Sequence, residues 1–176
     1  LNSTHIRSAH LGFAMFLAFI AFPALKRSSR TKVPLLEWIF ALIATSCALY
    51  IAVFSEELAD RPGLPILQDL IISGIGLIFL LEATRRSLGI PMMIIAMLFL
   101  TYVFFGEHAP DIIAWKGASF NKAMSHMWLS QEGVFGIGLG VSSGFIFLFV
   151  LFGALLEKAG AGNYFTKVAF ALLGHY

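Results

Sequence analysis

Five histidines, His5, His10, His108, His126 and His175, are the side chains of this sequence best suited to holding a metal or a haem. A haem held within a bilayer needs His pairs on facing helices, and a metal site needs several donors that converge. All five instead fall at the ends of apolar segments or in the connections between them. That placement runs against a membrane-bound redox or metal enzyme. The single cysteine, Cys47, allows neither an internal disulfide nor a thiolate cluster, and reads as a small apolar residue packed in a helix. Gly136, Gly138 and Gly140 imitate a dinucleotide-binding loop, but they lie within an apolar helical stretch and do not follow a strand. There is no His-Glu helical pair, nucleophile elbow or phosphate-cradling loop. No enzymatic activity, catalytic residue, cofactor or metal is therefore expected.

Ionisable groups inside apolar segments are the remaining candidates, since at membrane depth such groups usually have a function. Asp69 follows Leu64 by five residues, roughly 8 Å at about 1.5 Å per residue, which is interfacial depth and favours a structural role. Glu82 precedes Arg86 by one helical turn, the order that favours pairing, and Arg85 and Arg86 suit the negative end of a helix dipole. The functional alternative is that Glu82, Arg85 and Arg86 dock this part of the chain onto a moving one.

The elements that carry these residues are apolar and long. Residues 11–25, 38–54, 88–105 and 134–156 hold no charged side chain over 15, 17, 18 and 23 positions, and residues 64–84 form a weaker fifth stretch interrupted by Gln68, Asp69 and Glu82. A bilayer core of roughly 30 Å needs about 20 helical residues, so each stretch suffices with its flanks. Charged residues are only 12% of the chain, against about 25% in soluble domains, and the mean hydropathy is +0.85. The fold class expected is all-α, a polytopic membrane bundle of about five transmembrane helices, an interfacial helix and the start of a further helix. A net charge of +2 gives no reason to expect a nucleic-acid partner.

If the spans alternate, Lys26, Arg27, Arg30, Lys32, Arg85, Arg86, Lys158 and Lys167 share one side with only Glu37, Glu82 and Glu157. The opposite side is acidic. Cations in short loops mark the cytoplasm, so loops 26–32 and 85–87 are expected inside and residue 1 in the periplasm. An external start without a signal peptide, on Leu1, leads to the expectation of a piece of a longer protein with at least one earlier span.

Three regions follow. Residues 1–105 hold four spans joined by short links, which force antiparallel neighbours in a small membrane domain. Residues 106–133 form an external linker in which Ser119 caps a helix. Phe120, Met124, Met127 and Trp128 line one face of that helix, which suits a helix in the outer interface with Trp128 at headgroup depth and is equally the ordinary pattern of a linker packed on a bundle. Residues 134–176 open a larger domain. Gly136, Gly140 and Gly144 there leave one helix face nearly bare, suited to close packing or to a mobile element. The run 157–163 breaks the helix, and residues 164–173 begin another.

Several strings are specific. Ala9-His10-Leu11-Gly12-Phe13-Ala14, Leu81-Glu82-Ala83-Thr84-Arg85-Arg86, and the run from Glu132-Gly133-Val134-Phe135-Gly136 through Phe149-Val150-Leu151-Phe152-Gly153-Ala154-Leu155-Leu156-Glu157-Lys158-Ala159-Gly160-Ala161-Gly162 resemble the fused permease of tripartite ATP-independent periplasmic (TRAP) transporters, of the TAXI branch. Gly138 departs from the resemblance, since much of the family has proline there, and this bears on local helix bending. The resemblance implies a secondary transporter of the inner (plasma) membrane that takes a small organic solute, a carboxylate being the expected class, from a periplasmic solute-binding protein. It also implies coupling to a sodium or proton gradient and an elevator-like motion of the large domain against the small one. The family's ion and solute sites correspond to sequence beyond Tyr176, so no binding residue is carried over. The partners implied are the solute-binding protein, the lipid bilayer, the remainder of the large transport domain and the solute. A membrane scaffold subunit without transport of its own is the alternative.

Overall fold

A computed structural model describes residues 2–23 and 33–174. Residue 1, the basic loop 26–32 and His175, all used in the topology argument or weighed as ligands, lie outside the described residues. The described residues form helices and connections without a strand: α1 (Ser3–Ala21), α2 (Leu35–Val53), α3 (Ser55–Asp60), α4 (Leu67–Ser87), α5 (Ile90–Phe105), a 3-10 turn (Gly106–His108), α6 (Phe120–Met127), α7 (Ile137–Val141), a π-helical turn (Ser142–Ile146), α8 (Phe147–Lys158) and α9 (Ala161–Leu173). The chain is an all-α helical membrane bundle. Among the described residues four helical segments are long and apolar enough to cross a bilayer: Leu35–Val53, Leu67–Ser87, Ile90–His108 and Ile137–Lys158. α1 has the length, but His5, Arg7 and His10 lower the hydropathy of its first half.

Two compact units divide at Leu139 and Gly140. In the first, α1 and α2 approach closely because small residues line their contact. Ala41, Ala44 and Ala48 are fully buried, and the Cα of Gly12 sits where a Cβ would lie 3.4 Å from Thr45 and 3.7 Å from Ala48. Between helices in lipid, dispersion contacts and hydrogen bonds replace water exclusion as the source of association. Both are present here: Thr45 Oγ1 donates to the Gly12 carbonyl at 3.2 Å, and Ser8 Oγ donates to the Ala48 carbonyl. At the other end Phe19, Phe40 and Phe79, from α1, α2 and α4, meet edge to face at 5.5–6.2 Å.

Trp128 favours the packed-linker alternative: it is fully buried, with its indole N–H donating to the Cys47 carbonyl at 3.2 Å and its ring edge-on to Phe135 at 5.5 Å. Gly76 makes the room, because a Cβ there would overlap the indole ring; a Cβ on Gly133 would strike the α6 backbone at His126 and Met127. Ser119 caps α6 as expected, its Oγ accepting from the Lys122 N–H.

In the second unit the glycine-rich helix is loosened. Backbone bonding widens to the π pattern over Ser142–Ile146, with Ser143 Oγ donating to the Gly140 carbonyl at 3.1 Å. Wide turns of this kind occur singly, often at functional positions. A Cβ at Gly144 would meet nothing within 4 Å. The break at 157–163 is a left-handed Gly160, at φ 79°, between α8 and α9. A residue with a Cβ is strained in that region.

Candidate functional site

Polar chemistry in the first unit gathers at its two ends. At one end, Arg86 from the last turn of α4 is almost fully buried, with 2% of its side chain exposed. Its Nη1 donates to Glu37 Oε2 of α2 and, at 3.3 Å, to the Phe22 carbonyl just after α1. Its Nε donates to Glu82 Oε1 at 2.7 Å, and its guanidinium lies 4.6 Å from the Phe19 ring centre. Glu82 also receives two 2.7 Å bonds from Arg85, Nε to Oε2 and Nη2 to Oε1. The Glu82–Arg86 pair expected from the sequence forms, and its further bonds tie α4 to α1 and α2. Glu37 was missed. Nothing local marks it, since it is 49 residues from Arg86 and meets it only through the antiparallel packing of α2 and α4.

At the opposite end Asp69 is fully buried. Its Oδ1 accepts from the Tyr50 hydroxyl at 2.6 Å and its Oδ2 from the Ile66 N–H at 3.0 Å, closing the first turn of α4. Arg61 lies 3.4 Å away, and Ser73 Oγ returns to the Asp69 carbonyl. This is the structural role the spacing suggested. Asp69→Asn is expected to lower the stability of the protein in detergent by about 1–3 kcal/mol, because an amide cannot accept at both positions. Tyr50→Phe should cost less in the Asp69→Asn background than in the parent; equal costs in a thermal-unfolding cycle would show that the two do not interact.

Beside Asp69 a cavity of about 140 Å³ is lined by Arg61, the Pro62-Gly63 turn, Ser125 and Ser130. Arg61 Nε is buried there without an acceptor among the described residues. The adjoining Arg61 and Asp69 charges cancel, which leaves a polar space roomy enough for water and without the charge excess that would concentrate an ion. Nearby, the start of α1 is fastened to the segment after α6: Arg7 Nη1 donates to the Phe135 carbonyl at 2.9 Å, and Gln131 Nε2 donates to Thr4 Oγ1.

The four described histidines do not come together. His5 and His10 lie in the first half of α1, His108 in the 3-10 turn, and His126 in α6, where its Nδ1 is 3.2 Å from Glu132 Oε2. Among the described residues no three His, Cys, Asp or Glu side chains converge as a metal ion would require.

The family description "Tripartite ATP-independent periplasmic transporter, DctM component" matches residues 75–176, more than half of the chain, starting inside α4 and including α5 to α9. Searches among curated proteins and among solved structures gave no match. The matched region contains two of the four segments able to cross a bilayer in full, together with most of a third. This DctM component is a transporter part and not an enzyme, and the chain is an integral membrane protein of the tripartite ATP-independent periplasmic transporter family.

Proposed function

We propose that the chain forms part of the fused permease of a TAXI-branch TRAP transporter, importing a small organic solute, of carboxylate class, with a sodium or proton gradient. The match over residues 75–176 carries this reading. The string 132–162 supports the branch, and small-domain residues ahead of the matched region support a fused arrangement. In this reading residues 1–105 act as the small membrane domain, 106–133 as the external linker and 134–176 as the opening of the large one. A dedicated periplasmic binding protein delivers the solute. The inner membrane is its location, with loops 26–32 and 85–87 in the cytoplasm and residue 1 in the periplasm, as the cation distribution favours.

The test is uptake by the complete permease in proteoliposomes, with its binding protein outside and an imposed sodium or pH gradient. Gradient-driven, ATP-independent uptake that disappears without the binding protein is the expected result. Uptake without that protein, or none under either gradient, would overturn the proposal, and the second outcome would favour the scaffold alternative. Orientation has its own readout: a cysteine introduced by Arg30→Cys should react with a membrane-impermeant maleimide only after the inner face is opened.

A further inference from the structure

The connection after α5 is tightly bonded yet turns its most apolar residues outward. Residues 109–118 fold back onto the end of α5. The Trp115 N–H donates to the Gly106 carbonyl at 3.1 Å, and the Ala118 N–H to the Val103 carbonyl at 3.0 Å. The Trp115 indole N–H donates to the Tyr102 carbonyl at 3.0 Å, and the Tyr102 hydroxyl to the Ile113 carbonyl. Trp115 packs on Gly106, where a Cβ would overlap its ring. Within this frame the Ile113 N–H closes a turn onto the Pro110 carbonyl at 2.9 Å, putting Asp111 and Ile112 at the tip. Ile112 is 96% exposed and Ile113 54%.

α5 says what covers them. Only 6% of its membrane-length segment is buried among the described residues and those residues are almost all apolar, the surface expected of a helix that lipid surrounds. The Arg85-Arg86 pair just ahead of it marks one membrane margin. From Ile90 the helix rises about 18 Å to Tyr102 and about 24 Å to Gly106, at about 1.5 Å per residue. Against a hydrocarbon thickness of about 30 Å, Tyr102 and Trp115 then lie towards the far margin, where Trp and Tyr collect.

We propose that residues 109–118 form a lipid hook, in which Ile112 and Ile113 enter the margin of the bilayer leaflet that covers the end of α5. Asp111 and Lys116 flank the pair and hold the turn at the boundary, because their charges stay in the headgroup layer. The hook continues the lipid-facing surface of α5 and rests on α5 crossing the bilayer, not on transport.

Site-directed spin labelling of the complete permease in phosphatidylcholine nanodiscs tests it. Nitroxides are placed singly at Ile112→Cys, Leu98→Cys and Asp60→Cys in a background with Cys47→Ala and no other reactive cysteine. Leu98, exposed on α5, reports deep lipid, and Asp60, exposed at the end of α3, reports water. The label at 112 is expected to relax more strongly with oxygen than with a water-soluble nickel chelate, at a depth between the two controls. Dominance of the nickel chelate would place the turn in water, and inaccessibility to both reagents would mean that protein covers it; either overturns the hook. A Leu98→Cys label exposed to nickel would instead refute the spanning of α5.

Discussion

Arg86→Ala in the complete permease is expected to cost about 3–5 kcal/mol of stability, the largest effect of any single charge in the first unit. The reason is what the substitution leaves behind. Glu37, with 6% of its side chain exposed, loses a buried guanidinium partner, and removing one charge of a buried pair costs far more than the pair contributes. The Phe22 carbonyl and the Phe19 ring lose contacts in the same step. Arg85→Ala is the control. Its pair with Glu82 is about one-third exposed on both sides, so its loss should cost no more than about 1 kcal/mol. The double variant Glu37→Leu/Arg86→Leu should recover most of the loss, since apolar groups of similar size replace buried ion pairs at little cost. Thermal unfolding in detergent reads all three. An Arg86→Ala variant as stable as Arg85→Ala would show that the cluster does not hold α4 to α1 and α2.

Trp128→Ala is expected to cost a similar 3–5 kcal/mol, roughly, by emptying the centre of the first unit. The fully buried ring sits over Gly76 and against Phe135 and supplies a hydrogen bond to α2. Gly76→Ala should destabilise by about 1–3 kcal/mol, because the added methyl overlaps the ring. Combined, the two should cost less than their sum, because once the indole is gone the methyl has space. Strict additivity in the same unfolding assay would contradict this packing.

What the sequence made legible was local. Uninterrupted apolar length announces a span, because lipid forces the backbone to satisfy its own hydrogen bonds. Serine before a helical pattern announces a cap, and Glu82 with Arg86 at one-turn spacing announces a pair; each was seen. At Trp128 the sequence left an interfacial helix and a packed linker both open, for a physical reason. A helix face of Phe120, Met124 and Trp128 looks the same whether it meets lipid or protein, and the deciding residue, Gly76, lies elsewhere in the chain. Gly76 was the available signal, since a residue without a side chain inside a span invites a large neighbour. Glu37 and Tyr50 were invisible as partners of Arg86 and Asp69 because each pairing exists only after α2 and α4 have packed. α3 was missed because its six residues are too few to display a helical period.

The π-helical turn at Ser142–Ile146 carries one residue more than a regular turn would. Removing a single residue there should relax the backbone to ordinary α bonding and leave α8 presenting its side chains in nearly the same directions. In α2 the same deletion would swing everything beyond it by about 100° and turn Ala44 and Ala48 away from α1. Length changes between related proteins should therefore accumulate at the wide turn and be purged from the alanine face.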